Sequence, residues 1–221
     1  MPGMNMSAMQ MPGFYAWGLA TVVLLFLMWA VMMVAMMLPS AVPMIQSFLS
    51  VNESRRNSSR PFVPVGIFVL GYIVAWTAFS AAATLAQWGL HKAALLSPMM
   101  VATSPIVSGG LLLVAGIFQW TPLKRACLTN CRSPLSFLMG EWREGATGAF
   151  TMGLRHGAYC VGCCWALMAL LFVVGVMNLL WIAIIAIFVM AEKVLPGGPI
   201  LGRIAGVALA IAGIGIIAKF W

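Results

Sequence analysis

Long apolar runs separated by short polar stretches set the organisation of this 221-residue chain. A helix rises about 1.5 Å per residue, so about 20 apolar residues cross the roughly 30 Å hydrocarbon core of a membrane. Single transmembrane helices are predicted over residues 17–38, 62–87, 105–120 and 200–218. The run over 157–194 is too long for one crossing, and Gly-Val-Met-Asn at 175–178 predicts a helical hairpin that turns near Asn178. The pattern predicts an all-α fold, a polytopic transmembrane helical bundle of about six spans forming one domain over 17–221.

The connections between the apolar runs are polar and differ in length. The stretch 121–155 is the longest, and its Phe137 and Trp142 predict one or two interfacial helices that lie along the membrane surface. Pro39 and Pro43 are predicted to end or kink the first span, because proline removes a helical hydrogen bond. A ridge of small residues in the last span predicts close helix packing. Its members are Gly202, Gly206, Ala210 and Gly213.

Composition supports a membrane protein and indicates its sidedness. Hydrophobic residues make up 63% of the chain and charged residues 7%. So few charges are expected of a membrane protein, because charges are costly in hydrocarbon. The net charge of +8 is attributed to basic loops beside anionic lipid, and no nucleic acid is expected as a partner. Six spans would place ten Lys and Arg residues on one side and two on the other. This predicts that both termini lie outside a bacterial inner membrane, and the first run is expected to stay as a helix rather than a cleaved signal.

The densest group of chemically reactive side chains lies within nine residues of the sequence, from His156 to Cys164. On a helix, His156, Cys160 and Cys163 would stand at i, i+4 and i+7 on one face. Imidazole and thiolate are ligands that suit Cu(I), Zn(II) or an iron–sulfur centre. Alternatively, the cysteines are small apolar packing residues, as free cysteine often is. The predicted metal ligands are His156, Cys160, Cys163, Cys164, Cys127 and Cys131.

Methionines form a second set of soft ligands. Pro and Gly make the Met-rich tail over residues 1–16 a flexible segment, and its thioethers favour Cu(I) over Zn(II). Met also recurs along one face of the first span, which suits either adaptable packing or a copper path. Glu192 either pairs locally or orients His156 as a hydrogen-bond acceptor. These secondary candidates are Met4, Met6, Met9, Met11, Met32, Met36 and Glu192.

Three motifs carry a resemblance to a known family. They are Thr-Pro-Leu-Lys-Arg-Ala-Cys-Leu-x-x-Cys-Arg-Ser-Pro at 121–134, Gly-Leu-Arg-His-Gly-x-Tyr-Cys-x-Gly-Cys-Cys-Trp at 153–165 and Ala-Met-Met-Leu-Pro-Ser at 35–40. From about residue 17 to 219 the chain resembles the bacterial family of predicted metal-binding integral membrane proteins, a domain of unknown function. The resemblance implies an all-helical inner-membrane protein with a metal site at the five cysteines and His156. It does not extend to the Met-rich tail.

The sequence therefore predicts a membrane protein that binds a soft metal ion and handles copper by capture, holding or transfer. Cu(I) is the expected ion and Zn(II) the alternative. Other functions left open are a membrane thiol–disulfide redox protein, with Cys-x-x-Cys spacing at Cys160 and Cys163, and a non-catalytic scaffold or assembly subunit. No paired-carboxylate, phosphate-loop or Ser/His/Asp pattern points to catalysis, so no catalytic residue is predicted. Expected partners are the lipid bilayer, the metal ion and a metallochaperone or membrane partner subunit.

Overall fold

The chain folds into a bundle of α-helices, as its apolar pattern predicts. The computed structural model describes residues 18–56, 63–93, 95 and 101–219, and the Met-rich tail lies outside them. The helices are α1 (Leu19–Arg56), α2 (Val65–Lys92), α3 (Pro105–Phe118), α4 (Pro122–Arg132), α5 (Pro134–Glu141), α6 (Gly145–Ala169), α7 (Leu171–Val174), α8 (Leu179–Val194) and α9 (Gly198–Ala218). The all-α fold class is confirmed.

Four spans of the described chain are long and apolar enough to cross a membrane. They are Leu19–Arg55, Val65–Lys92, Gly145–Val174 and Gly198–Ala218. α3 and α4 meet at 63° and pass the same test only as one bent pair, which would be a fifth span. α8 has 16 residues, which correspond to about 24 Å and fall short of the hydrocarbon thickness. The six predicted spans thus correspond to four or five helices of sufficient length, together with the shorter α8.

α1 is longer than predicted, because it does not end at its prolines. The helix runs through Pro39 and Pro43 to its last residue at position 56. Each proline removes one backbone donor from the helix. α1 nevertheless packs against α2, α5 and α8, and its buried side chains include Trp29 and Phe48, one on each side of the prolines. Packing along the whole helix therefore outweighs the local cost of the two prolines.

Glycines bring α6 against α2 with almost no space between the two backbones. A Cβ added to Gly153 would lie 1.9 Å from the backbone oxygen of Phe68, and one added to Gly71 would lie 2.2 Å from that of Phe150. Only a residue without a side chain fits at either position. This close approach fixes the height of α6 relative to α2 and so the position of the cysteines that α6 carries.

The small-residue ridge of α9 packs closely against another helix, as predicted, and the partner is α3. A Cβ on Gly206 would lie 2.8 Å from the backbone oxygen of Gly116, and one on Gly213 would lie 2.7 Å from that of Gly109. The two helices meet at small residues on both sides, which allows the dense packing that substitutes for hydrophobic driving force in a membrane.

The predicted hairpin turn near Asn178 is also present. α6 and the short α7 lead to Gly175, whose φ of +98° is strained for residues with a side chain. The Asn178 side chain then accepts a hydrogen bond from the backbone N–H of Trp181 and caps α8. α8 returns along α1 and brings Lys193 to the depth of Cys160.

Two helices occupy the first part of the long connection 121–155. α4 and α5 each begin with a proline in the first turn, where its missing N–H is not needed. The Thr121 side chain accepts a hydrogen bond from the backbone N–H of Lys124 and caps α4. α4 packs on α6, so this connection folds back on the helix that carries the other cysteines.

Candidate metal centre

Three cysteines of α6 are buried together inside the bundle. Cys160, Cys163 and Cys164 are 1%, 2% and 1% exposed. The thiols of Cys163 and Cys164 both donate to the backbone oxygen of Cys160, over 3.1 and 2.9 Å. This geometry turns both sulfur atoms back along the helix toward the Cys160 backbone. The predicted grouping of these three residues on one helix is therefore present in the fold.

Lys193 of α8 places an ammonium group directly beside the Cys160 sulfur. Its Nζ lies 2.9 Å from Cys160 Sγ and 2.9 Å from Ser40 Oγ. The Tyr72 hydroxyl lies 3.1 Å from the same sulfur and donates to the Met37 backbone oxygen over 3.0 Å. Three other helices, α1, α2 and α8, thus supply these polar neighbours of Cys160.

The Lys193 ammonium determines the chemistry that suits this position. Lys193 is 8% exposed. A buried cation is costly unless a negative charge or hydrogen bonds compensate it. Its contacts with Ser40 and Cys160 provide one hydroxyl oxygen and one sulfur atom. Sulfur is the atom of the two that can carry a full negative charge, and the thiolate is the form of cysteine that binds metal ions.

Cys131 of α4 completes the group of thiols around Cys160. Its side chain interacts with those of Cys160 and Cys163. The thiols of Cys160 and Cys164 interact in turn. Cys131, Cys160, Cys163 and Cys164 together are called the thiol centre below. Cys127 lies at the edge of the thiol centre, where its sulfur packs over Gly162. A Cβ added to Gly162 would lie 2.8 Å from Cys127 Sγ.

A thioether adjoins the thiol centre from α1. Met37 Sδ lies 4.0 Å from Cys164 Sγ, and the Met37 side chain is fully buried. The predicted candidates Met32 and Met36 instead line a groove between α1 and α8. Met37, Lys193 and Tyr72 were absent from the predicted ligand set.

His156 lies one helical turn before Cys160 and has different neighbours. Its ring stacks with those of Phe68 and Tyr72 at centroid distances of 6.2 and 5.7 Å and meets Phe137 edge-on at 5.7 Å. The Nδ1 atom is buried and has no hydrogen-bond partner among the described residues. The structure therefore encloses the imidazole in an aromatic cage beside the thiols.

Glu192 contacts neither His156 nor the thiol centre through its carboxylate. Both carboxylate oxygens accept from Lys124 Nζ, over 2.7 and 2.8 Å. Lys124 also donates to the Gln119 side-chain oxygen, and Arg132 donates to the Glu192 backbone oxygen. The acidic residue thus anchors the end of α8 to α4 through an ion pair.

The described side chains do not already form a closed metal site. Among the residues that the structure describes, no three His, Cys, Asp or Glu side chains form a group that could hold a metal ion as they stand. The Cys163 and Cys164 thiols are turned toward a backbone oxygen. Rotation of these two side chains would be needed to direct their sulfur atoms toward an ion shared with Cys160.

Comparison with known proteins gives a family but no close relative. No curated protein and no solved structure matches the chain. A family model described as "PpoB2: Copper chaperone" matches residues 26–216, a range that includes His156 and all five cysteines. The match connects the chain to copper, in agreement with the soft ligands in its sequence. The chain belongs to the PpoB2 copper chaperone family.

Proposed function

We propose that this chain is an integral membrane protein that holds Cu(I) at the thiol centre and passes it to a partner. The observation that carries the proposal is the convergence of three buried thiols from α6 and the partly buried Cys131 thiol from α4 beside a lysine ammonium. Thiolate and thioether sulfur are the ligands that select Cu(I). The family match supports copper as the ion.

The one ammonium that the described residues place beside the thiol centre, that of Lys193, favours Cu(I) over Zn(II). Cu(I) held by two thiolates carries one negative charge, and Lys193 neutralises it. Zn(II) in a structural site is held by four ligands, and four thiolates would leave two negative charges against the one ammonium of Lys193. Burying a charge without a compensating partner costs roughly several kcal/mol of free energy. A two-thiolate Cu(I) complex of Cys160 with Cys163 or Cys164 is therefore the favoured species, with Met37 as a neutral third ligand.

The bacterial inner membrane is the proposed location. Four long apolar spans support membrane insertion, and the excess of Lys and Arg on one side supports termini that lie outside. A chaperone must release its metal as well as bind it. A neutral thioether at Met37, beside thiolates, would allow stepwise ligand exchange when a partner offers its own sulfur ligands.

Metal analysis of purified protein tests the proposal. The protein would be loaded with Cu(I) or Zn(II) under anaerobic conditions in detergent, and bound metal per chain would be measured. We expect Cu(I) to remain bound and Cys160→Ser to remove it almost wholly, because a hydroxyl replaces the thiolate beside Lys193. Cys164→Ser should lower Cu(I) occupancy less than Cys160→Ser, since Cys163 can serve as the second thiolate.

Cys127→Ser is the matched control, because the same chemical change then falls at the edge of the centre. It should retain most of the Cu(I) at the same folding yield. Full Cu(I) stoichiometry in Cys160→Ser would refute the thiol centre and leave these cysteines as packing residues. Maleimide trapping before and after oxidation distinguishes the redox alternative, since reversible loss of two thiols per chain without bound copper would support thiol–disulfide chemistry instead.

A further inference from the structure

A groove lined by methionines lies between α1 and α8, apart from the thiol centre. Its volume is about 710 Å³, and four thioethers line it together with apolar side chains. Met28, Met32 and Met36 come from α1, and Met177 comes from the turn before α8. Residues at i, i+4 and i+8 on a helix stand one above another, with about 5–6 Å between successive Cβ atoms. The thioethers of α1 therefore form a ladder along the groove.

The methionines that line the groove differ in exposure. Met177 is 63% exposed at the turn, whereas Met36 is 5% exposed. Met36 is followed by Met37, whose sulfur lies 4.0 Å from Cys164 Sγ. Methionine sulfur therefore recurs at each turn of α1 from Met28 to Met36 in the groove, and Met37 then lies against the thiol centre.

We propose that this thioether groove is the route by which Cu(I) reaches the thiol centre. The inference rests on the proposed function, because it supplies the path to the site proposed above. Thioethers are neutral, so each step of the ladder would bind Cu(I) weakly and release it to the next. Thiolates are charged and bind it more strongly, so the ion moves from Met177 toward Cys164. Copper stays Cu(I) throughout and exchanges only its sulfur ligands.

Leucine or isoleucine in place of these methionines would fill the same apolar groove. Methionine is also an adaptable packing residue. A route is distinguished from packing by the contact of Met37, which follows Met36 in the chain, with Cys164 of the thiol centre. A lipid chain in the groove is the alternative outcome that the experiment below distinguishes.

Methyl NMR with Ag(I) tests the groove directly. The protein would carry ¹³C at the methionine methyl groups and would first be saturated with Cu(I), so that any thiol site is occupied before Ag(I) is added as a redox-inert analogue. We expect the methyl signals of Met28, Met32 and Met36 to shift on Ag(I) addition. The signals of Met139 and Met190, which lie outside the groove, should not shift. Unchanged groove signals, or equal shifts at Met139, would overturn the route and leave the groove as a lipid-filled seam.

Loading kinetics provide a second measurement. Leu is close to Met in volume, so Met28→Leu, Met32→Leu and Met36→Leu combined should preserve the fold. We expect the triple variant to load Cu(I) at least about tenfold more slowly than the wild-type chain, since small barrier increases give large rate losses. Its final stoichiometry should be unchanged, and Met139→Leu should load at the wild-type rate. Equal loading rates in the triple variant and wild type would refute the route. Failure of every protein to load Cu(I) would instead refute the proposed function. In that case, Ag(I) shifts confined to the groove would still support thioether binding there.

Discussion

Breaking the Lys124–Glu192 ion pair tests how the end of α8 is held in place. The Lys124 and Glu192 side chains are 3% and 2% exposed, and the ammonium contacts both carboxylate oxygens at 2.7 and 2.8 Å. Lys124→Met would leave the carboxylate buried without its cation. Removing one partner of a buried pair costs about 3–5 kcal/mol. For a chain of this length, about 1 kcal/mol corresponds to roughly 2–4 °C, so we expect the melting temperature to fall by about 10 °C.

The assay is thermal unfolding in detergent, followed by circular dichroism at one fixed scan rate. Arg125→Met is the matched control, because Arg125 is the next residue along α4 and is exposed; its melting temperature should be close to that of wild type. The double change Lys124→Met/Glu192→Gln removes both charges and should be less destabilising than Lys124→Met alone. Two results would refute a buried ionic contact. One is a Lys124→Met melting temperature equal to that of wild type. The other is a double variant whose melting temperature falls by the sum of the losses in Lys124→Met and Glu192→Gln.

Three further predictions follow from the fold and from the sequence. Gly153→Ala should lower the melting temperature sharply, because a Cβ there would lie 1.9 Å from a backbone oxygen of α2, whereas Gly140→Ala, with open space around it, should be neutral. A reporter fused after Trp221 should report the outer side of the membrane and one inserted in 54–60 the cytoplasm, and the opposite result would invert the proposed orientation. Deleting residues 2–12 should lower Cu(I) uptake at limiting copper but not bound copper at excess, and identical uptake would leave the tail without a role in capture.

The features that sequence predicted well depend on local periodicity. The bilayer sets the length of an apolar run, so the spans and the hairpin near Asn178 follow from the positions of polar residues. Helical spacing also predicted that His156, Cys160 and Cys163 would share a face, and all three are buried on α6. The small residues of α9 were similarly visible as a repeat at helical spacing.

The features that sequence missed depend on tertiary packing. Nothing local predicts that α1 continues past Pro39, because the contacts that compensate the proline come from other helices. Lys193 is 33 positions and Tyr72 is 88 positions from Cys160 in sequence, yet both meet its sulfur. A lysine near a helix end is usually a snorkelling residue, so its charge alone gave no signal of a thiol contact. His156 matched the ligand spacing, but its aromatic neighbours come from α2 and α5 and could not be inferred from α6.

The adjacent charges at the end of α8 explain how an ammonium group is held beside a thiol inside an apolar bundle. Neighbouring residues on a helix point about 100° apart, so Glu192 and Lys193 must face different helices. Glu192 binds Lys124 of α4, and Lys193 contacts Cys160 of α6 and Ser40 of α1. Rotating α8 by one residue would remove both sets of contacts and leave two charges buried without partners. The Glu192 ion pair therefore fixes the rotation of α8, and this rotation directs the Lys193 ammonium to the sulfur that we propose as the principal copper ligand.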